Sequence, residues 1–178
     1  FLMADGFIFQ DLIDSLIERE SRGNPSAVSP KGAVGLMQIM PQHAHDLYGS
    51  SAPSVFDEAR RRGYDVPNES VDTARGLLMD PEINYALGDP YFRDLVRAFD
   101  GNIENALTAY NAGPDAMKNM LGAGKGPDDF ASSEARDYFD HINKIFREKT
   151  GKDLPETMDL KQLVRPKARP EGLLSGGV

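Results

Sequence analysis

Apolar residues recur at three- and four-residue spacings along most of the first 150 positions, and no β-branched stretch alternates with period two for long enough to build a sheet. That pattern restricts the chain to an all-α domain. Clusters of Gly, Pro, Asn and Ser divide it into predicted helices over 8–22, 37–48, 55–63, 70–79, 81–99 with a break near Gly88-Asp89-Pro90, 102–111 and 132–149. Between the first two, Gly23 to Gly35 is too rich in Gly and Pro for a helix or a central strand. No internal repeat is present.

The length of 178 residues suits one domain with a buried core. Residues 1–150 hold 24 of the 28 acidic residues and 15 of the 20 basic ones, so this body carries −9 and the last 28 residues +1, for −8 in all. From Gly151 the helical periodicity fades. Arg165-Pro-Lys-Ala-Arg-Pro and Ser175-Gly-Gly read as an extended tail or linker, and a domain boundary is expected near 150.

Several function classes drop out. Nucleic-acid affinity comes largely from Lys and Arg neutralising phosphates, and the basic clusters here are only Arg60-Arg61-Arg62 and Arg165/Lys167/Arg169, so no nucleic-acid partner is expected. The absence of Cys removes disulfides, thiolate metal sites and a cysteine nucleophile. His43 and His45 lie two apart and so splay onto different helix faces, while His141 is remote; no metal site or other cofactor is expected. No apolar run approaches the roughly 18–20 residues that span a bilayer, so no membrane span is expected. The first residues lack the basic region of a signal peptide. The chain starts at Phe1, and it is expected to be a piece of a longer polypeptide or one whose leader has been removed.

One carboxylate breaks the pattern. Ile13, Leu16 and Ile17 form an apolar stripe whose next position is residue 20, and residue 20 is Glu. Glu18 falls well round the helix and is expected in solvent. A carboxylate on a core-facing stripe loses solvation, which favours its neutral form and suits it to general acid chemistry. The other reading is that the helix ends here, with Glu20 exposed on a frayed turn. Ile103, Ala106 and Leu107 lead in the same way to Tyr110, and Ala135, Ile142 and Ile145 share a face with Tyr138. Each tyrosine reads either as a core residue with a satisfied hydroxyl or as part of a site.

Several motifs occur in a telling order: Glu20-Ser21, Asn24-Pro25, Ala27, Ser29-Pro-Lys-Gly-Ala33, Gly35-Leu-Met-Gln-Ile-Met-Pro41, then Asp80-Pro81 with Asn84 and Gly88, Ala109-Tyr-Asn-Ala-Gly113, and Glu134-Ala-Arg-Asp-Tyr138. Over about residues 12–146 this order resembles the soluble lytic transglycosylases, peptidoglycan-cleaving enzymes related in fold to goose-type lysozyme. Two departures stand out. His43 replaces a common Thr, and the stretch between Tyr48 and Asp80 is longer than usual. That stretch reads as a lid, a cleft rim or a surface loop with a short helix.

The resemblance implies a lysozyme-like helical domain with Glu20 as the single catalytic residue. Glu20 would protonate the oxygen linking N-acetylmuramic acid to N-acetylglucosamine and then, as carboxylate, deprotonate the muramic C6 hydroxyl. Attack of that hydroxyl on C1 gives a 1,6-anhydro product without water, so one carboxylate suffices where ordinary glycosidases use two. The resemblance also implies that Ser29, Gln38 and Met40 line the glycan cleft, that Tyr110 bonds the catalytic carboxylate, that Asn111 buttresses the cleft or caps its helix, and that Glu134 and Tyr138 reach the substrate. The expected partner is the glycan strand of peptidoglycan. Two alternatives stay open: a goose-type hydrolase of the same bond, and a non-catalytic glycan-binding or virion module. Action on the bacterial wall is expected, from a phage particle in preference to the periplasm.

Overall fold

The computed structural model describes residues 3–163, with side chains from Phe9 onward. Among them are α1 (Met3–Ser21), α2 (Val55–Arg61), α3 (Val71–Leu77), α4 (Pro81–Ala98), α5 (Ile103–Ala112), α6 (Pro114–Gly122) and α7 (Ser133–Thr150). Among the described residues extended pairing is limited to the isolated bridges Val28–Val34, Val34–Ile39 and Asn102–Thr157, so the domain is all-α as its periodicity predicts. No helix among the described residues is long and apolar enough to cross a membrane.

The described residues form two compact units, one of residues 3–15 and 92–163 and the other of 16–91. In the first, α5 packs against α6 and α7. Its core holds Phe9, Phe92, Ile103, Leu107, Met117, Ile142 and Phe146. Phe9 and Phe92 stack at 6.0 Å, and the Arg93 guanidinium lies 4.1 Å from the centre of the Phe9 ring. In the second, α3 packs against α2 and against a short 3-10 turn, Pro41–His43.

Four sequence expectations need correction. The helix predicted over 37–48 is replaced by a turn at 35–38, a bridge at Ile39 and the 3-10 turn. The break near Gly88 does not occur, because α4 runs through Pro90 with Leu87, Tyr91, Phe92, Leu95 and Val96 buried, and that burial outweighs one lost ladder bond. Helix α6 was not foreseen. It starts at Pro114, directly after Gly113 at φ 94°, and buries little besides Pro114 and Met117, too short a stripe to register as periodicity. Finally, residues 151–163 are packed rather than extended. Leu154, Met158 and Leu163 are buried, Met158 N donates to Gly101 O at 2.9 Å, and Arg93 and Arg97 both donate to Leu163 O. The remainder of the expected tail, 164–178, lies outside the described residues.

The long segment between Tyr48 and Asp80 forms α2 and α3 and neutralises its own basic cluster. Glu58, 3% exposed, accepts from Arg61 at 2.6 and 2.9 Å and from Arg62 at 2.6 Å. Arg60 pairs with Glu69 and Asp57, and Arg62 also reaches Glu82. Burial alone would raise the Glu58 carboxyl, but hydrogen bonds from Arg61 and Arg62, then their charges, outweigh it and hold the group below its ordinary value. A lowered carboxyl stabilises the fold above the unfolded pKa, and that contribution is lost as pH falls through the folded value. Glu58→Gln is therefore expected to destabilise the protein by about 1–2 kcal/mol at neutral pH. In urea titrations the gap to the parent should close as pH drops below about 4. A gap that does not change with pH would contradict this.

Candidate active site

Glu20 occupies the last turn of α1, which stops because Arg22 and Gly23 turn left-handed at φ 54° and 73°. This end is not frayed. The buried Ser21 hydroxyl donates to Leu36 O at 2.8 Å, with a longer approach of 3.2 Å to Ile17 O, so the helix terminus is tied to the turn at 35–38. Glu20 is half-buried and Glu18 exposed, in line with the offset of the two acids on the helix.

The turn is held from α4 as well. The buried Asn84 side chain accepts from Met37 N at 2.9 Å and donates to Val34 O and Leu78 O at 2.8 and 2.9 Å. Gly35 has φ 81°, and a Cβ there would lie 2.2 Å from Asn84 Nδ2 and 2.5 Å from Leu78 O. One helical turn beyond Asn84, a Cβ on Gly88 would lie 2.3 Å from Met37 Sδ. Thus the sequence signature Asn84/Gly88 is a seat for the turn: one residue bonds its backbone and the other leaves room for Met37.

Gln38 sits at φ 49°, unusual for a residue with a side chain, and its Nε2 donates back to Gly35 O at 2.9 Å and Ala27 O at 3.2 Å. With its donors committed, Gln38 offers Oε1 to a ligand as acceptor. Ser29 Oγ accepts from Ala33 N at 3.0 Å, closing the loop at 29–33 while its own O–H can still donate. Ser29, Gln38 and Met40 are all half-buried and belong to the same unit as Glu20. The carboxylates Asp46 and Asp57 of this unit are exposed.

The remaining candidates lie in the other unit. Tyr110 is half-buried, its ring edge-on to Phe92 at 5.8 Å. Asn111 is half-buried inside α5, and Gly113 rather than Asn111 caps the helix. Glu134 is exposed in the first turn of α7. Tyr138 has no exposed surface and packs as a core tyrosine. The sequence reading gave no role to Ser21, Asn84 or Gly88 beyond membership of a motif. Their contacts with residues 34–37 span 15 to 51 positions and leave no local signal.

A family model described as the transglycosylase SLT domain matches residues 7–132. The chain is 34% identical over 136 residues to the soluble lytic murein transglycosylase of Escherichia coli strain K12, covering 72% of this chain and 18% of that protein. It is 32% identical over 124 residues to the membrane-bound lytic murein transglycosylase C of Edwardsiella ictaluri, covering 66% and 30%. It therefore spans less than a third of the length of these relatives. Among solved structures, the 70 kDa soluble lytic transglycosylase of Escherichia coli aligns with a TM-score of 0.58 and 29% identity over 86% of this chain and 24% of that one. The Slt lytic transglycosylase of Pseudomonas aeruginosa, at 23% identity and a TM-score of 0.52 over 85% and 23%, shares the fold. The motif order, the seated turn beside Glu20 and these matches agree, and the chain belongs to the transglycosylase SLT domain family.

Proposed function

We propose that this domain cleaves the glycan strands of peptidoglycan between N-acetylmuramic acid and N-acetylglucosamine without water, with Glu20 as acid and then base. One observation carries the reading: Glu20 is half-buried on a helix end bonded by Ser21 to the turn that presents Gln38. In the first half-step the Glu20 carboxyl gives its proton to the glycosidic oxygen as the C1–O bond breaks and N-acetylglucosamine leaves. In the second the carboxylate takes the proton of the muramic C6 hydroxyl as its oxygen bonds C1. Glu20 ends protonated and one 1,6-anhydro ring has formed. The nucleophile is tethered to the reacting centre, and that intramolecularity replaces the second carboxylate.

Ser29 and Gln38 are proposed to hydrogen-bond sugar hydroxyl and N-acetyl groups, and Met40 to cover an apolar sugar face. Tyr110, Asn111 and Glu134 are proposed as further substrate-contacting groups. The proposed place of action is the bacterial cell wall, consistent with murein in the relatives' names. The expected delivery by a phage particle draws no support from the relatives named above, which are bacterial proteins.

Digestion of purified peptidoglycan followed by mass spectrometry tests the reaction. Muropeptides ending in anhydro-muramic acid, one water lighter than hydrolytic products, are expected. Reducing-end products alone would make the domain a hydrolase, and no release at all would favour a glycan-binding module.

A further inference from the structure

We propose that His43 and Tyr48 form an aromatic platform that stacks against a hexosamine ring of the glycan strand, a contact outside the groups assigned above and one that rests on the glycan reading. Tyr48 is 50% exposed, and its ring centre lies 5.8 Å from that of Tyr91 at an interplanar angle of 23° and 5.0 Å from that of His43 at 35°. Tyr91, only 6% exposed, anchors this row of rings to α4.

The backbone beneath is fixed in a costly conformation. Tyr48 has φ 55°, a region that disfavours bulky side chains by about 1–2 kcal/mol, although the adjacent Gly49 would accept it freely. The turn is held nonetheless. Tyr48 N donates to Asp46 O at 3.0 Å, Gly49 N to Asp46 Oδ1 at 2.7 Å and Ser50 N to Leu47 O at 3.0 Å, while Leu47 is buried. A strained residue held in place with half its large aromatic surface in solvent is a recurrent mark of a binding position.

The ligand chemistry follows from what surrounds the rings. Residues 40–51, which carry two of the three rings, contain no Lys or Arg, one carboxylate, Asp46, and the imidazoles of His43 and His45. Aromatic faces carry negative potential and attract polarised C–H bonds, which line the apolar face of a pyranose. The segment is also placed for the glycan. It follows Gln38 and Met40 directly through the 3-10 turn Pro41–His43, in the unit that holds Glu20.

Calorimetric titration of the Glu20→Gln protein with N-acetylglucosamine hexamer, and with peptide-free glycan strands, tests the platform without turnover. Adding Tyr48→Ala or Tyr48→Leu is expected to weaken binding about tenfold, or roughly 1.4 kcal/mol. Tyr48→Phe, which keeps the ring, is expected to retain it. Leu separates stacking from mere apolar bulk. Unchanged affinity in Ala and Leu variants that melt like the parent would overturn the platform while leaving the glycan reading intact. Failure of the Glu20→Gln parent to bind either probe would overturn both. If the Tyr48 variants misfold, His43→Thr provides the same readout, and affinity equal to the parent would overturn the proposal.

Discussion

Glu20→Gln is expected to slow release of muropeptides from purified peptidoglycan by about 10²- to 10⁴-fold, the usual contribution of a positioned general acid. The carboxamide has nearly the same shape but cannot deliver a proton to a leaving oxygen or take one from the C6 hydroxyl, so both half-steps fail together. The fold should survive, because Gln keeps the size of Glu and the Ser21 bond to Leu36 O that ties this end of α1 is untouched. A melting temperature within a degree or two of the parent is expected, as for a substitution that changes stability by less than about 0.5 kcal/mol. Glu18→Gln is the internal control. It removes the same charge two residues away on an exposed face and should leave the rate unchanged. Equal loss in both variants, or none in either, would remove Glu20 from the mechanism.

Asn84→Ala is expected to cost about 3 kcal/mol, because it leaves two buried backbone groups without the partner they have here, at about 1–3 kcal/mol each, and opens a cavity beside them. The groups are Met37 N–H and Leu78 C=O, whereas Val34 C=O loses one of two bonds and keeps the one from Ile39 N at 3.1 Å. For a domain of this size 3 kcal/mol corresponds to a fall of roughly 6–12 °C in melting temperature. Asn84→Asp separates the contributions. It can still accept from Met37 N but sets a carboxylate against two carbonyl oxygens, so it should be no more stable than Ala at neutral pH. Where the variant still folds, the affinity for glycan strands should also fall, since Gln38 is the last residue of the turn that Asn84 seats. An Asn84→Ala protein as stable as the parent would mean that the turn is held by its own local bonds.

Parts of this molecule are written locally. The stripe Ile13, Leu16, Ile17 leads to Glu20 by helical spacing alone, and all three apolar residues are buried where the spacing puts them. The predicted helix over 132–149 is realised as α7, ending at a left-handed Gly151. These succeed because an amphipathic helix carries its own instruction every three to four residues. The helix expected over 37–48 fails for the opposite reason. Leu36, Met37, Gln38 and Met40 all favour helix by intrinsic propensity, which is worth only tenths of a kcal/mol per residue. Against that stand a Gly35 with no room for a Cβ, the hydrogen bonds of Asn84 with Met37 N and Val34 O, and Pro41. Residues 151–163 carry no periodicity either, and they pack because Gly101, Arg93 and Arg97 supply partners from 50 to 70 positions away.

The sequence by itself therefore determined the helical class and the family, and singled out Glu20 for the role proposed here, because periodicity and motif order are properties of neighbouring residues. The tertiary structure alone decided that Glu20 ends a tethered helix, that Gln38 turns its donors inward, that Tyr138 belongs to the core, and that the arginine cluster spends its charge on Glu58, Glu69 and Glu82. Each of these depends on which distant group fills a hydrogen bond or a gap of a few ångströms, and no local pattern in a chain records that.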